Sequence, residues 1–177
     1  MQQLYSTVGA LVVFSLLLVV GLEHARHPEQ TRDVIAAQQL WPTWATPLIQ
    51  TGLTATELVV GGMGVASIVF TVPTALERVL LLAAAALYVS FAIYGVLLLQ
   101  WRPQAPCGCG TQGQPVSAWT IGRAATLATV SSVLLLVDMP FVVSTEDLAR
   151  LSIILLSGAA LTVLFLRLPD TMAQPEG

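Results

Sequence analysis

The chain has 177 residues, 55% of them hydrophobic and only 10% charged, with a mean hydropathy of +0.79. Soluble domains carry ~25% charged residues, so this composition excludes a water-soluble globule and implies contact with lipid over much of the surface. The net charge of −3, from ten acids and seven arginines with no lysine, is too small and too scattered for a nucleic-acid surface.

Five apolar runs follow one another, each near the ~20 residues that cross a bilayer. The first covers Leu4–Leu22 and reads as an anchor, since it lacks a basic lead and a small-residue cleavage site. The second covers Pro47–Phe70, the third Ala75–Leu99, the fourth Trp119–Val137 and the fifth Leu148–Leu168. Backbone polar groups in hydrocarbon must be satisfied within their own segment, so the runs are expected to be helices. The ~10-residue alternation of a strand barrel is absent. The expected fold is an all-α polytopic membrane bundle with four core helices and a fifth at the carboxyl end. Residues 1–137 form its membrane domain. Residues 138–177 supply an interfacial connection, the fifth helix and a short polar tail, with Phe141, Val142 and Val143 able to pack at the interface.

The connections differ in length. Thr71–Thr74 is tight and predicts an antiparallel hairpin broken at Pro73. Glu23–Thr46 is long, and Pro28–Leu40 within it predicts a helix with Val34, Ile35 and Leu40 on one side. Trp41, Trp44, Trp101 and Trp119 all fall at predicted helix ends, where tryptophan forms interfacial belts. With either four or five spans, the connections after the first and third runs lie on the same side of the membrane. His24 and His27 therefore share a side with both cysteines.

Those cysteines, Cys107 and Cys109, stand in Pro106-Cys107-Gly108-Cys109-Gly110, within the most polar interval between two spans. Thiols attack disulfides, bind soft metals and carry electrons. Two sulfurs at i and i+2 join only across a sharp turn, which the flanking glycines permit. Such a small ring is expected to be strained and hence easily reduced. Two unrelated loop thiols are the simpler reading. A shared metal or cluster would need His24 and His27 as further ligands, and no metal is assigned.

Glu57 stands out as a charge in the middle of a predicted span, among Thr54, Thr56, Leu58 and Val59. A carboxyl group at membrane depth costs a few kcal/mol on insertion scales, so it calls for a partner or a function. The readings are a hydrogen bond between helices, a proton or quinone site, or an ion pair, with Arg123 at the head of the fourth run as one partner. Gly61, Gly62 and Gly64 follow Glu57 and, like Ala83–Ala86 and Gly158–Ala160, suit close helix packing. His24 and His27, spaced i, i+3, can share a face of a continuing helix. Solvation at the interface is their simpler role, with haem, pigment or metal ligation the alternative. Ser6, Ser15 and the Ser131-Ser132 pair need only backbone partners.

The segment Pro106-Cys107-Gly108-Cys109, followed by Pro115-Val116-Ser117 and then by Trp119 and Arg123 opening an apolar helix, resembles the MauE/DoxX family of redox-associated membrane proteins. That family is named for methylamine utilisation protein E. Gly21-Leu22, Pro42 and Glu57 are similar to its amino-terminal layout, so the likeness covers most of residues 1–137. Gly110 stands where the family usually has phenylalanine, Ala124 where it has asparagine, and His24 about where lysine is common. The resemblance implies a membrane helper for disulfide formation or thiol transfer, serving a thioredoxin-like protein, with Cys107 and Cys109 as the exchanging pair.

Orientation evidence is divided. Arg26, Arg32, Arg102 and Arg167 fall on the cysteine side, which by the positive-inside rule favours the cytoplasm. Disulfide chemistry and the resemblance favour an extracytoplasmic loop on a multi-pass protein of the inner membrane, and this is the expectation adopted. The competing functional class is a non-catalytic accessory subunit of a larger respiratory or photosynthetic electron-transfer complex.

Overall fold

The computed structural model describes residues 2–70, 72–106, 116–137 and 148–172. These residues form six helices, α1 (Gln2–Arg26), α2 (Pro28–Gln38), α3 (Thr46–Val69), α4 (Thr74–Trp101), α5 (Ala118–Leu136) and α6 (Leu148–Met172), and no strand is found among them. Four helices, α1, α3, α4 and α5, are long and apolar enough to cross a membrane. The carboxyl-terminal helix expected from the fifth run is present as α6, with an apolar stretch at Ser152–Leu164. The connection containing Phe141, Val142 and Val143 lies outside the described residues.

The bundle is built around α1. Ala10 and Val13 are fully buried there, and Phe14, Leu16 and Leu17 nearly so. Leu80, Leu81 and Ala84 of α4, Leu127 of α5 and Ile154 of α6 complete the same core. Leu48, Val79, Leu82, Leu136 and Leu156 point outward, each more than half exposed. An apolar outer surface around an apolar core is what a helix bundle in lipid requires. All four tryptophans are exposed near helix ends, as a belt requires.

Small residues set the contact between α1 and α3. A Cβ added at Gly61 would lie 2.5 Å from the backbone nitrogen of Leu18, and one added at Gly64 would lie 2.2 Å from the Phe14 ring. The two helices therefore touch backbone to backbone, in antiparallel register. Gly62 was expected to share this role, but its added Cβ would approach nothing nearer than Leu18 Cδ1, at 4.0 Å. One residue further along a helix turns the Cβ by about 100°, away from the face that 61 and 64 share.

Two boundaries differ from expectation. α1 continues past Leu22 to Arg26, because Glu23 pairs with Arg26 at 3.6 Å and with His27 at 3.9 Å, the i, i+3 and i, i+4 spacings that support a helix end. The buried face of α2 is Thr31, Ile35 and Gln38, not Val34, Ile35 and Leu40. Polar residues turn inward there because they find partners, described below. Gln39, with φ of 53°, ends α2 in the left-handed conformation, and its N–H bonds to the Ala36 carbonyl. Pro73 caps α4, as the predicted hairpin break requires.

Candidate functional site

The register between α1 and α3 brings Gly21 against Glu57. A Cβ added at Gly21 would come within 2.9 Å of Glu57 Cβ, so the missing side chain makes room for the acid. His24, three residues on, stands about one turn further along the same face of α1. Its Nδ1 lies 2.7 Å from Glu57 Oε2. Glu57 is 1% exposed and His24 9%. The buried acid thus meets a side chain that can share a proton with it. The second carboxyl oxygen, Oε1, is buried and has no hydrogen-bond partner.

The two histidines part company at this point. His24 turns inward to Glu57, whereas His27 is exposed beside Glu23. No group of three or more metal-binding side chains occurs among the described residues.

Glu57 and His24 line a partly open cavity of about 290 Å³ whose walls come from α1, α2, α3, α4 and α5. Its walls are mostly apolar, with Leu17, Leu53, Phe91 and Leu127 among them. Arg123 lines it too, so the structure brings Glu57, His24 and Arg123 to one chamber. Tyr88 adds a ring to the wall and donates its hydroxyl to the Val13 carbonyl at 2.8 Å. Trp41 and Ser90, both exposed, also line the cavity and mark where it meets the surface.

At the α2 end, a polar chain ties the cavity wall to the start of the cysteine segment. Tyr94 donates its hydroxyl to Gln38 Oε1, and Gln38 Nε2 donates to the Pro106 carbonyl at 3.0 Å. The Val116 N–H donates to the Ala105 carbonyl at 3.2 Å. Residues on either side of segment 107–115 are therefore held together, with Leu98, Ala105 and Val116 packed in a small apolar cluster beneath them. Ser117 caps α5 by accepting from the Thr120 N–H. Cys107 and Cys109 themselves lie outside the described residues. The contact from α2 to Pro106 places the connections after α1 and after α4 at one end of the bundle, the sidedness expected from counting spans.

Gln38, Tyr88 and Tyr94 were not singled out from sequence, and Gly21 was noted only within the family-like layout, not as a contact of Glu57. A signal existed for the first three. A tyrosine inside a lipid-spanning run must satisfy its hydroxyl within the protein, and Gln38 lies seven residues after Thr31, on one helical face.

These features define a polytopic α-helical membrane protein with a buried acid–imidazole pair in the wall of a partly open cavity. The chain belongs to the family of methylamine utilisation protein MauE, whose family model matches residues 1–137. No curated protein and no solved structure matches it.

Proposed function

We infer that this MauE-family protein is a membrane thiol–disulfide redox protein that assists disulfide formation or thiol transfer for a thioredoxin-like partner. The observation that carries this reading is the clamp around the cysteine segment. Gln38, Tyr94 and the Ala105–Val116 hydrogen bond hold the residues that flank 107–115 together at one end of the bundle. The cysteine pair is the only group in that segment able to undergo thiol exchange.

In this account the partner's thiolate attacks one sulfur of an oxidised Cys107–Cys109 pair. A mixed disulfide forms, and the partner's second thiol resolves it. The partner leaves oxidised, and Cys107 and Cys109 leave as thiols. The loop faces the extracytoplasmic side of the inner membrane, where disulfides persist.

Trapping provides the test. A Cys107→Ser or Cys109→Ser variant cannot form the internal disulfide, but its remaining thiolate can attack the disulfide of an oxidised partner and has no second cysteine to release it, so in its native membrane it is expected to retain a covalent, reductant-sensitive adduct with a thioredoxin-fold protein. Recovery of a stoichiometric complex that resists reductant, with no mixed disulfide from either variant, would replace this reading with the accessory-subunit one.

A further inference from the structure

The cavity requires an explanation that thiol exchange alone does not give. Exchange with a soluble partner needs only an accessible pair of sulfurs. It does not need an apolar cavity in the bundle, nor in its lining a buried acid with one oxygen that has no protein partner. A purely structural acid would have both oxygens engaged, because an unmatched buried acceptor is costly. Glu57 has one oxygen on His24 and the other without a partner.

The shape and chemistry of the chamber restrict what fits. Its volume of about 290 Å³ lies at the lower end of the ~300–1,000 Å³ typical of small-molecule sites, which suits a single substituted ring whose tail leaves through the open side. The walls are apolar and aromatic, with Phe91 and Tyr88 able to pack on a ring face. The charged and titratable groups in the lining include the acid–imidazole pair and the Arg123 guanidinium, with Gln38, Tyr94 and Thr120 as further polar side chains. A carboxyl group that shares a proton with an imidazole can donate to a carbonyl oxygen or accept from a hydroxyl. It thereby matches a ligand that alternates between those two states. The exposed Trp41 and Ser90 leave a path from the cavity to the surface.

We propose that this cavity binds the ring of a lipid-soluble quinone, with Glu57 hydrogen-bonded to a ring oxygen and His24 as its proton partner, and that the quinone reoxidises the Cys107–Cys109 dithiol. The second half of the proposal rests on the thiol-exchange reading above; the binding site does not. The balance is simple. Two thiols lose two electrons and two protons as one S–S bond forms. The quinone gains both pairs, and its two carbonyls become two hydroxyls. Glu57 and His24 stand where a proton can be handed to one of those oxygens.

The experiment uses the full chain in lipid nanodiscs with decylubiquinone as probe. Quinone retained above that of protein-free nanodiscs, measured by ultraviolet absorbance, reports binding, and the absorbance change on reduction reports quinone reduction after the thiols have been reduced and excess reductant removed. Saturable binding is expected for the wild type and equally for the Cys107→Ser/Cys109→Ser double variant. Leu53→Trp, which fills the chamber from its partly exposed wall, is expected to abolish it. Glu57→Gln keeps a hydrogen-bonding group of the same shape. It is expected to bind within a few-fold of wild type but reduce the quinone about a hundredfold more slowly, the range of a lost proton-transfer group. Absence of saturable binding, or equal binding by wild type and Leu53→Trp, would overturn the site. Binding without quinone reduction, in a protein whose thiols do exchange with a thioredoxin-like partner, would overturn the quinone as oxidant. Binding in a protein whose thiols exchange with no partner would instead sink the thiol-exchange reading and leave the site standing.

Discussion

Substitution of Gly61 by alanine should weaken the bundle and disturb the His24–Glu57 pair together. The added Cβ would lie 2.5 Å from the Leu18 nitrogen, 2.9 Å from the Leu18 Cα and 3.0 Å from the Phe14 carbonyl oxygen. All three are backbone atoms of α1, so no side chain can swing aside. The helices must separate until the contact reaches ordinary van der Waals distance, a displacement of about 1 Å. Glu57 lies one turn from Gly61 on α3, and its contact with His24 is 2.7 Å. A shift of that size carries the pair to the limit of ~3.2 Å for a normal hydrogen bond or past it. Overpacking of this kind costs ~1–3 kcal/mol. Gly62→Ala is the internal control, because its Cβ would meet nothing nearer than 4.0 Å, and it should stay within ~0.5 kcal/mol of wild type. Thermal unfolding in nanodiscs, with SDS titration as a second readout, compares the two variants. Equal stability of Gly61→Ala and Gly62→Ala would refute the packing register on which the site depends.

Two further outcomes follow from the same geometry. Glu57→Gln should assemble normally, since an amide still bonds to His24, whereas Glu57→Leu leaves His24 buried without its partner and should cost ~1–3 kcal/mol in the same unfolding assay; wild-type stability of both variants would remove Glu57 from the site. Single cysteines introduced at Gln30 and Gln112 in the Cys107→Ser/Cys109→Ser background should label with an impermeant maleimide from the same face of the membrane, and labelling from opposite faces would contradict the bundle topology.

The helices were legible in the sequence because the bilayer imposes a length and an apolar composition that few other structures share. Sidedness followed from counting spans, and the contact of Gln38 with Pro106 agrees with it. Gly61 and Gly64 were recognisable as packing positions, since small residues among Leu and Val have few other uses in a membrane helix. The pairing of His24 with Glu57 was not legible. It joins residues 33 positions apart, and nothing local to either distinguishes His24 from the solvated His27 three residues on. Only the register of α1 on α3, set by backbone contacts at Gly61 and Gly21, decides which histidine turns inward. The cavity was hidden for a related reason: its walls come from five helices, and no single helix carries a pattern that announces a space between them. α2 misled because its buried face is partly polar. Gln38 is inward because the Pro106 carbonyl and the Tyr94 hydroxyl meet it there, and Thr31 can be buried because its hydroxyl is satisfied by the His27 carbonyl of its own helix; apolar periodicity cannot detect either.

The state of the two cysteines tests the central claim most directly. The chain has no other cysteine, so an intramolecular disulfide can join only Cys107 to Cys109. The protein purified under air in mild detergent should take up no thiol-reactive mass tag, and two tags after gentle reduction that leaves the fold intact, with the expected strain of so small a ring making the bond easy to reduce. Two tags without any reductant, on the folded protein under air, would contradict a redox-active pair.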